Sequence, residues 1–185
     1  VQDARHALAL DDERDAFHPV LWDEHEWHKK VGAQADARLK QVWFAGMHSD
    51  VGGGYPDESL SYVSLGWMID EVEPTGLRLL TDAKKRILTM ANSLGPLHDS
   101  RAGLASYYRY QPRKIAAFLH RQSGCDFTDE TRILRDPILG ERTTRPNGSL
   151  LSCRVHESVF ARICYGTDDY APIVLPPKVR IEAYG

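Results

Sequence analysis

The stretch Gln41-Val42-Trp43-Phe44-Ala45-Gly46-Met47-His48-Ser49-Asp50-Val51-Gly52-Gly53-Gly54-Tyr55 decides the reading of this chain. Val42 to Met47 is a short apolar run rich in β-branched and aromatic side chains, which predicts a strand whose end is loosened by Gly46. An imidazole, a carboxylate two residues on, and three consecutive glycines follow directly. Open α/β sheets place their chemistry at the carboxyl ends of the strands, so this order predicts an α/β fold with His48 and Asp50 on a functional loop. Glycine alone accepts positive φ freely, so Gly52, Gly53 and Gly54 permit a tight turn with bare backbone N–H groups facing a ligand. His48 is thereby a candidate general base. A histidine that merely closes a strand end beside a flexible loop fits the same spacing, and both readings stay open at this point.

The chain around this stretch has 185 residues, enough for one domain with a single core spanning 1–185. Apolar residues make up 42% and charged residues 26%, which places it with globular proteins and away from disordered chains. A net charge of −3 gives no global attraction to nucleic acid, so no nucleic-acid partner is expected. The longest basic cluster, Lys84-Lys85-Arg86, reads as the solvated face of a helix. No apolar run approaches the length needed to cross a bilayer, and no transmembrane segment is expected. An opening on Val1-Gln2-Asp3, without methionine or a basic-then-apolar signal, predicts a cut or processed chain. Cys125, Cys153 and Cys164 form no C-x-x-C spacing, so neither a disulfide framework nor a zinc knuckle is indicated. One bridge with one thiol left over stays open.

Outward from the central stretch, Asp3 predicts a helix cap, with helix through about Leu10 on the alanines and leucine that follow. Phe17, Leu21, Trp22 and Trp27 read as packing anchors. His18, His25 and His28 invite a metal reading, but their segment is charged and solvent-facing in pattern, and no metal site is expected. Ser59 or Ser61 predicts the cap of a helix to about Glu73, closed by Pro74-Thr75-Gly76. A further helix runs from Thr81 or Asp82 to about Asn92, with Ile87, Leu88 and Met90 inward. Pro96 to Arg101 reads as a loop, and Leu104 to Tyr110 as an aromatic strand or extended segment interrupted by Pro112. Residues 95–150 as a whole read as a loop-rich, lid-like insertion. His156 to Cys164 has helical spacing, and Val179 to Ile181 fits an edge strand.

Hydrolysis by a serine enzyme needs an activated nucleophile, a base to take its proton, and a carboxylate to orient that base. No G-x-S-x-G elbow occurs in this chain. Ser64 lacks the preceding glycine and falls inside a predicted helix. The glycines match neither a P-loop nor a dinucleotide fingerprint. Asp50 with Asp57 or Glu58 could form a carboxylate pair, and His48 with Asp50 could join a distant third ligand on a divalent ion, but neither pattern is specific. No cofactor is expected. The sequence holds a candidate base without an evident nucleophile.

Several stretches carry a family resemblance. They are Ala4 to Arg14, then Phe17, Leu21 and Trp22, then Val42 to Tyr55, then Leu60-Ser61, Leu65 and Trp67-Met68, and later Gly95-Pro96-Leu97-His98-Asp99-Ser100 and His156-Glu157-Ser158-Val159. In this order they resemble an α/β-hydrolase-like family of bacteria and fungi, whose best-known members are phospholipase effectors of the type VI secretion system, first lipase class. The resemblance implies that the chain is the carboxyl-terminal part of an α/β-hydrolase-like fold, belonging to a serine esterase or phospholipase. His48 matches the histidine of the family motif, and the resemblance implies that serine and acid lie upstream. Asp50 would then brace the glycine loop rather than orient the base, while His98 with Asp99, and His156, would line the cleft or satisfy buried backbone groups. A lipid or other ester substrate, a secretion or immunity partner protein, and a cytoplasmic origin with export independent of a signal peptide follow as expectations. The alternative is a noncatalytic hydrolase-like binding or structural module. The chain alone is expected to be inactive.

Overall fold

The computed structural model describes residues 2–99, 101–115, 153–172, 174–175 and 179–183. Its frame is a four-stranded parallel sheet in the order β1 (Ala4–Ala9), β2 (Leu39–Phe44), β3 (Cys153–His156), β4 (Val179–Glu182). Parallel strands need crossover connections, and helices supply them. Helices α1 (Glu24–Val31) and α2 (Ala35–Arg38) lie between β1 and β2, while α3 (His48–Gly52), α4 (Ser59–Val72) and α5 (Thr81–Met90) follow β2. Helix α6 (Glu157–Tyr165) follows β3. The α/β class expected from the central stretch is what the chain forms.

The predicted helix over Asp3–Leu10 is instead β1, in register with β2 from Ala4 opposite Leu39 to Ala9 opposite Phe44. Alanine favours helix only until tertiary contacts decide otherwise. Here Ala7 and Ala9 face α4, and their small side chains leave room for Val63 and Trp67 to pack with Val42 and Phe44. Leu8 and Leu10 point to the other face, with Trp43, Ala45, Cys153, Val155 and Val159. The period-two alternation of strands thus divides one sequence between two cores.

Strand β2 begins and ends earlier than Val42–Met47, because Ala45 to Met47 already turn toward α3. Helix α4 matches its expected span, but its first turn is served by Asp57, whose Oδ1 accepts the Ser59 N–H at 3.0 Å, and not by a serine cap. Helix α5 also forms where expected, yet Leu88 and Met90 are exposed, so their inward assignment is corrected. Among the described elements its main packing is against α4, and Leu88 and Met90 lie off that contact. Trp22, expected to pack, is 45% exposed. Residues 103–107 form a short 3-10 helix, and only Tyr110 makes a strand-like bridge, to Arg14, so no aromatic strand spans Leu104–Tyr110. Helix α6 and strand β4 lie where the sequence placed them. Cys153 and Cys164 are free thiols, the first buried and the second exposed. Cys125 and the part of the lid-like insertion from 116 to 150 lie outside the described residues.

His156 closes β3 and caps α6, its Nδ1 accepting the Ser158 N–H at 3.2 Å. Its ring is fully buried and stacked on Phe44, with centroids 4.6 Å apart. Burial pushes its pKa down from 6.5 to about 4. As pH falls from 6.5 toward 4, the unfolded chain takes a proton that the folded chain refuses, so stability is lost across that window and levels off below it. The loss from this group is about 3 kcal/mol. Asp11, pushed up to about 6, works in the opposite direction over part of the window, so comparison with a variant isolates the histidine. His156→Asn, which keeps a cap acceptor, is expected to flatten the acid limb of the stability curve. Urea denaturation at pH 7 and pH 4.5 measures it, and equal slopes in both proteins would refute the assignment.

Candidate active site

The corner after β2 is held by the two acids at the end of β1. Asp11 Oδ2 accepts the Gly46 N–H at 2.6 Å, and Asp12 Oδ2 accepts the His48 N–H at 3.2 Å. Gly46 turns the chain with φ +109, and a Cβ there would collide with the side chain of Asp50. Burial pushes Asp11 up to about 6, against the opposing pull of the Gly46 N–H and the Tyr170 hydroxyl. Burial acts the same way on Asp12, but hydrogen bonds and charge from Arg14 outweigh it and hold that carboxyl below its usual range. Arg14 reaches Asp12 through two side-chain bonds, at 2.8 and 3.1 Å, and Arg113 lies 3.8 Å away.

Asp50 sits at the third position of α3, where an acid also favours the helix dipole. Its Oδ2 accepts the Met47 N–H at 3.1 Å and the His98 N–H at 3.3 Å. Its Oδ1 lies 2.6 Å from His98 Nδ1. The Asp50 side chain is 1% exposed and that of His98 27% exposed, so a buried carboxylate holds a reachable imidazole. Tyr55 stacks on the His98 ring at 3.7 Å between centroids, inclined by 12°, and fixes its plane. The Asp50 contact places the ring proton on Nδ1 and leaves the Nε2 lone pair for proton transfer.

His98 lines a cleft of about 450 Å³ with Asp11, Asp12, Asp99, Asp168 and Tyr170. The loop leading to it is strapped from below by Arg162, whose fully buried guanidinium donates to the carbonyls of Ser93 at 3.0 Å and Gly95 at 2.6 Å. His48 is exposed and touches the edge of Phe17, with ring centroids 5.3 Å apart. It lines a separate cleft of about 520 Å³ with Ala7, Ala9, Val51, Gly53 and Met68, along the β1 side of the sheet. Gly52 ends α3, Gly53 donates its N–H to Ser49 O at 2.9 Å, and Gly54 continues with φ +118. The Gly53 N–H is therefore engaged by the helix end and does not face a ligand.

Sequence reasoning placed His98 beside Asp99, whereas the carboxylate it meets is Asp50, 48 residues earlier. Nothing in the sequence pointed to Arg162 or to the stacking by Tyr55. Ser64 is buried inside α4 and donates to Val51 O at 2.6 Å, so it is no nucleophile. His18 and His28 are engaged with Gln111 O and with Glu24 O and Asp36.

A parallel sheet with an acid–imidazole pair at the carboxyl end of its strands is consistent with a hydrolase-like α/β fold. Residues 1–71 match the family model of the T6SS phospholipase effector Tle1-like catalytic domain. The match takes in β1, β2, the His48–Asp50 corner and most of α4, while His98 and α6 lie beyond it. No curated protein and no solved structure matches the chain.

Proposed function

We propose that this chain forms part of a serine-type ester hydrolase acting on phospholipid, and that His98, oriented by Asp50, is its general base. The observation that carries the reading is the 2.6 Å contact between the buried Asp50 carboxylate and His98 Nδ1. The family matched by residues 1–71 supports ester hydrolysis and a lipid substrate. No G-x-S-x-G elbow is present and Ser64 donates to Val51 O, so the proposal takes its nucleophilic serine from elsewhere in the polypeptide. In the forward step the serine oxygen bonds to the ester carbon while Nε2 of His98 takes its proton. Asp50 stabilises the imidazolium, which then returns the proton to the departing alcohol. Water, activated by the same ring, cleaves the acyl-serine.

His48 supports a second reading. It is exposed, its N–H is pinned by Asp12, and its cleft opens along β1, whose outer edge pairs with no strand among the described residues. A further parallel strand paired there would bring a nucleophile to that side. The test uses the polypeptide from the intact gene, labelled with a serine-reactive phosphonate and assayed on a phospholipid. His98→Ala is expected to lose ~10²–10⁴ in turnover, and His48→Ala less than about tenfold. The reverse pattern assigns the base to His48. Wild-type turnover in both variants defeats the base assignment, and absent labelling of the wild type favours a noncatalytic module.

A further inference from the structure

We propose that the segment from Arg101 to Lys114 is a docking surface for an anionic phospholipid bilayer, set beside the candidate active site; this rests on the phospholipid reading above. The segment carries Arg101, Arg109, Arg113 and Lys114 and no acid, in a chain whose net charge is −3. It also holds three of the chain's eight tyrosines, so both signals are local concentrations and not background composition.

Tyr107 is 92% exposed, Tyr110 49% and Tyr108 38%, and Arg109 and Lys114 face solvent beside them. The Arg101 guanidinium lies 5.0 Å over the Tyr110 ring, which keeps that cation at the aromatic rim. Arg113 turns inward to Ala9 O and Asp12 and is not part of the surface. Tyrosine, with an apolar ring and a polar tip, suits the headgroup level of a bilayer, and each nearby cation strengthens attachment to anionic lipid.

The rim is fixed to the site and does not merely lie near it. Asp15 N–H donates to Arg109 O at 3.0 Å, and Gln111 N–H donates to Glu13 O at 2.6 Å. Tyr108 packs edge-on against Phe17 at 5.6 Å, and the same Phe17 ring meets His48. Glu13 and Pro112 also line the His98 cleft, so a membrane met by these tyrosines would lie beside it. The other basic cluster, on α5, lacks this placement, and its Lys84 is already paired with Glu73 and Asp70.

Co-sedimentation with phosphatidylglycerol-rich and with pure phosphatidylcholine vesicles tests the surface on this polypeptide without need of turnover. Wild type is expected to bind the anionic vesicles preferentially. Arg109→Glu with Lys114→Glu should weaken that binding by at least roughly tenfold, and Tyr107→Ser with Tyr110→Ser should weaken it as well. Lys85→Glu with Arg86→Glu, the same change in net charge on α5, should leave it intact. Equal binding to both lipids, equal loss in both charge-reversed proteins, or full binding by the rim variants overturns the proposal. So does single-stranded oligonucleotide displacing the vesicles from the same residues. Failure of phosphonate labelling with vesicle binding preserved would strike the hydrolase reading alone.

Discussion

Replacing Asp50 by asparagine in the polypeptide from the intact gene is expected to lower ester turnover by about 10³–10⁴-fold while the fold survives. The asparagine side chain keeps an oxygen that can accept the Met47 N–H, the bond that closes the first turn of α3. What changes is the partner of His98 Nδ1, because the amide can present N–H where the carboxylate presented Oδ1. An N–H donor there selects the tautomer with its proton on Nε2, and the ring can no longer take a proton from serine. The imidazolium also loses its counter-charge. Substrate affinity should change little, since the Asp50 side chain is only 1% exposed. Turnover within tenfold of wild type, in a protein with an unchanged circular dichroism spectrum, would remove Asp50 from the mechanism.

The second large effect is on stability. Gly46→Ala is expected to destabilise the chain by roughly 3–4 kcal/mol, a fall of about 10 °C in Tm. Two costs coincide at this position. The backbone φ of +109 is one that an L side chain rarely adopts, and the new methyl would occupy space filled by the Cβ of Asp50. Relief requires moving the corner, which strains the Gly46–Asp11 bond and shifts Asp50 from His98. Gly32→Ala serves as the comparison, because Gly32 also has positive φ but open space where the methyl would stand. It should cost clearly less. Equal melting shifts in the two variants would show that backbone strain alone, without the collision, sets the cost.

The corner after β2 was legible only in part, because its local signals are an apolar run that ends and a glycine at the bend, whereas His48 to Gly52, read as a loop, winds into the short helix α3 with Asp50 three positions in. Strand β1 is hidden for the opposite reason. Ala4 to Ala9 carries helix formers, and only the facing bulk of Trp67 and Val63 reveals why those alanines are small. Leu88 and Met90 follow a helical pattern that predicts a buried face only when a partner layer exists. The pairing of Asp50 with His98 spans 48 residues and depends on how the chain returns over the sheet, so no spacing rule could announce it. His98 could be noticed within Gly95-Pro96-Leu97-His98-Asp99-Ser100, but its partner could not.

Arg162 has a temporal consequence. Its guanidinium reaches from α6 to the carbonyls of Ser93 and Gly95 across 69 and 67 residues of chain. Contacts of such separation form late, because the loop they close must first give up its freedom. The corner tied by Asp11 to Gly46, 35 residues apart, can therefore close before Arg162 straps the loop that leads to His98.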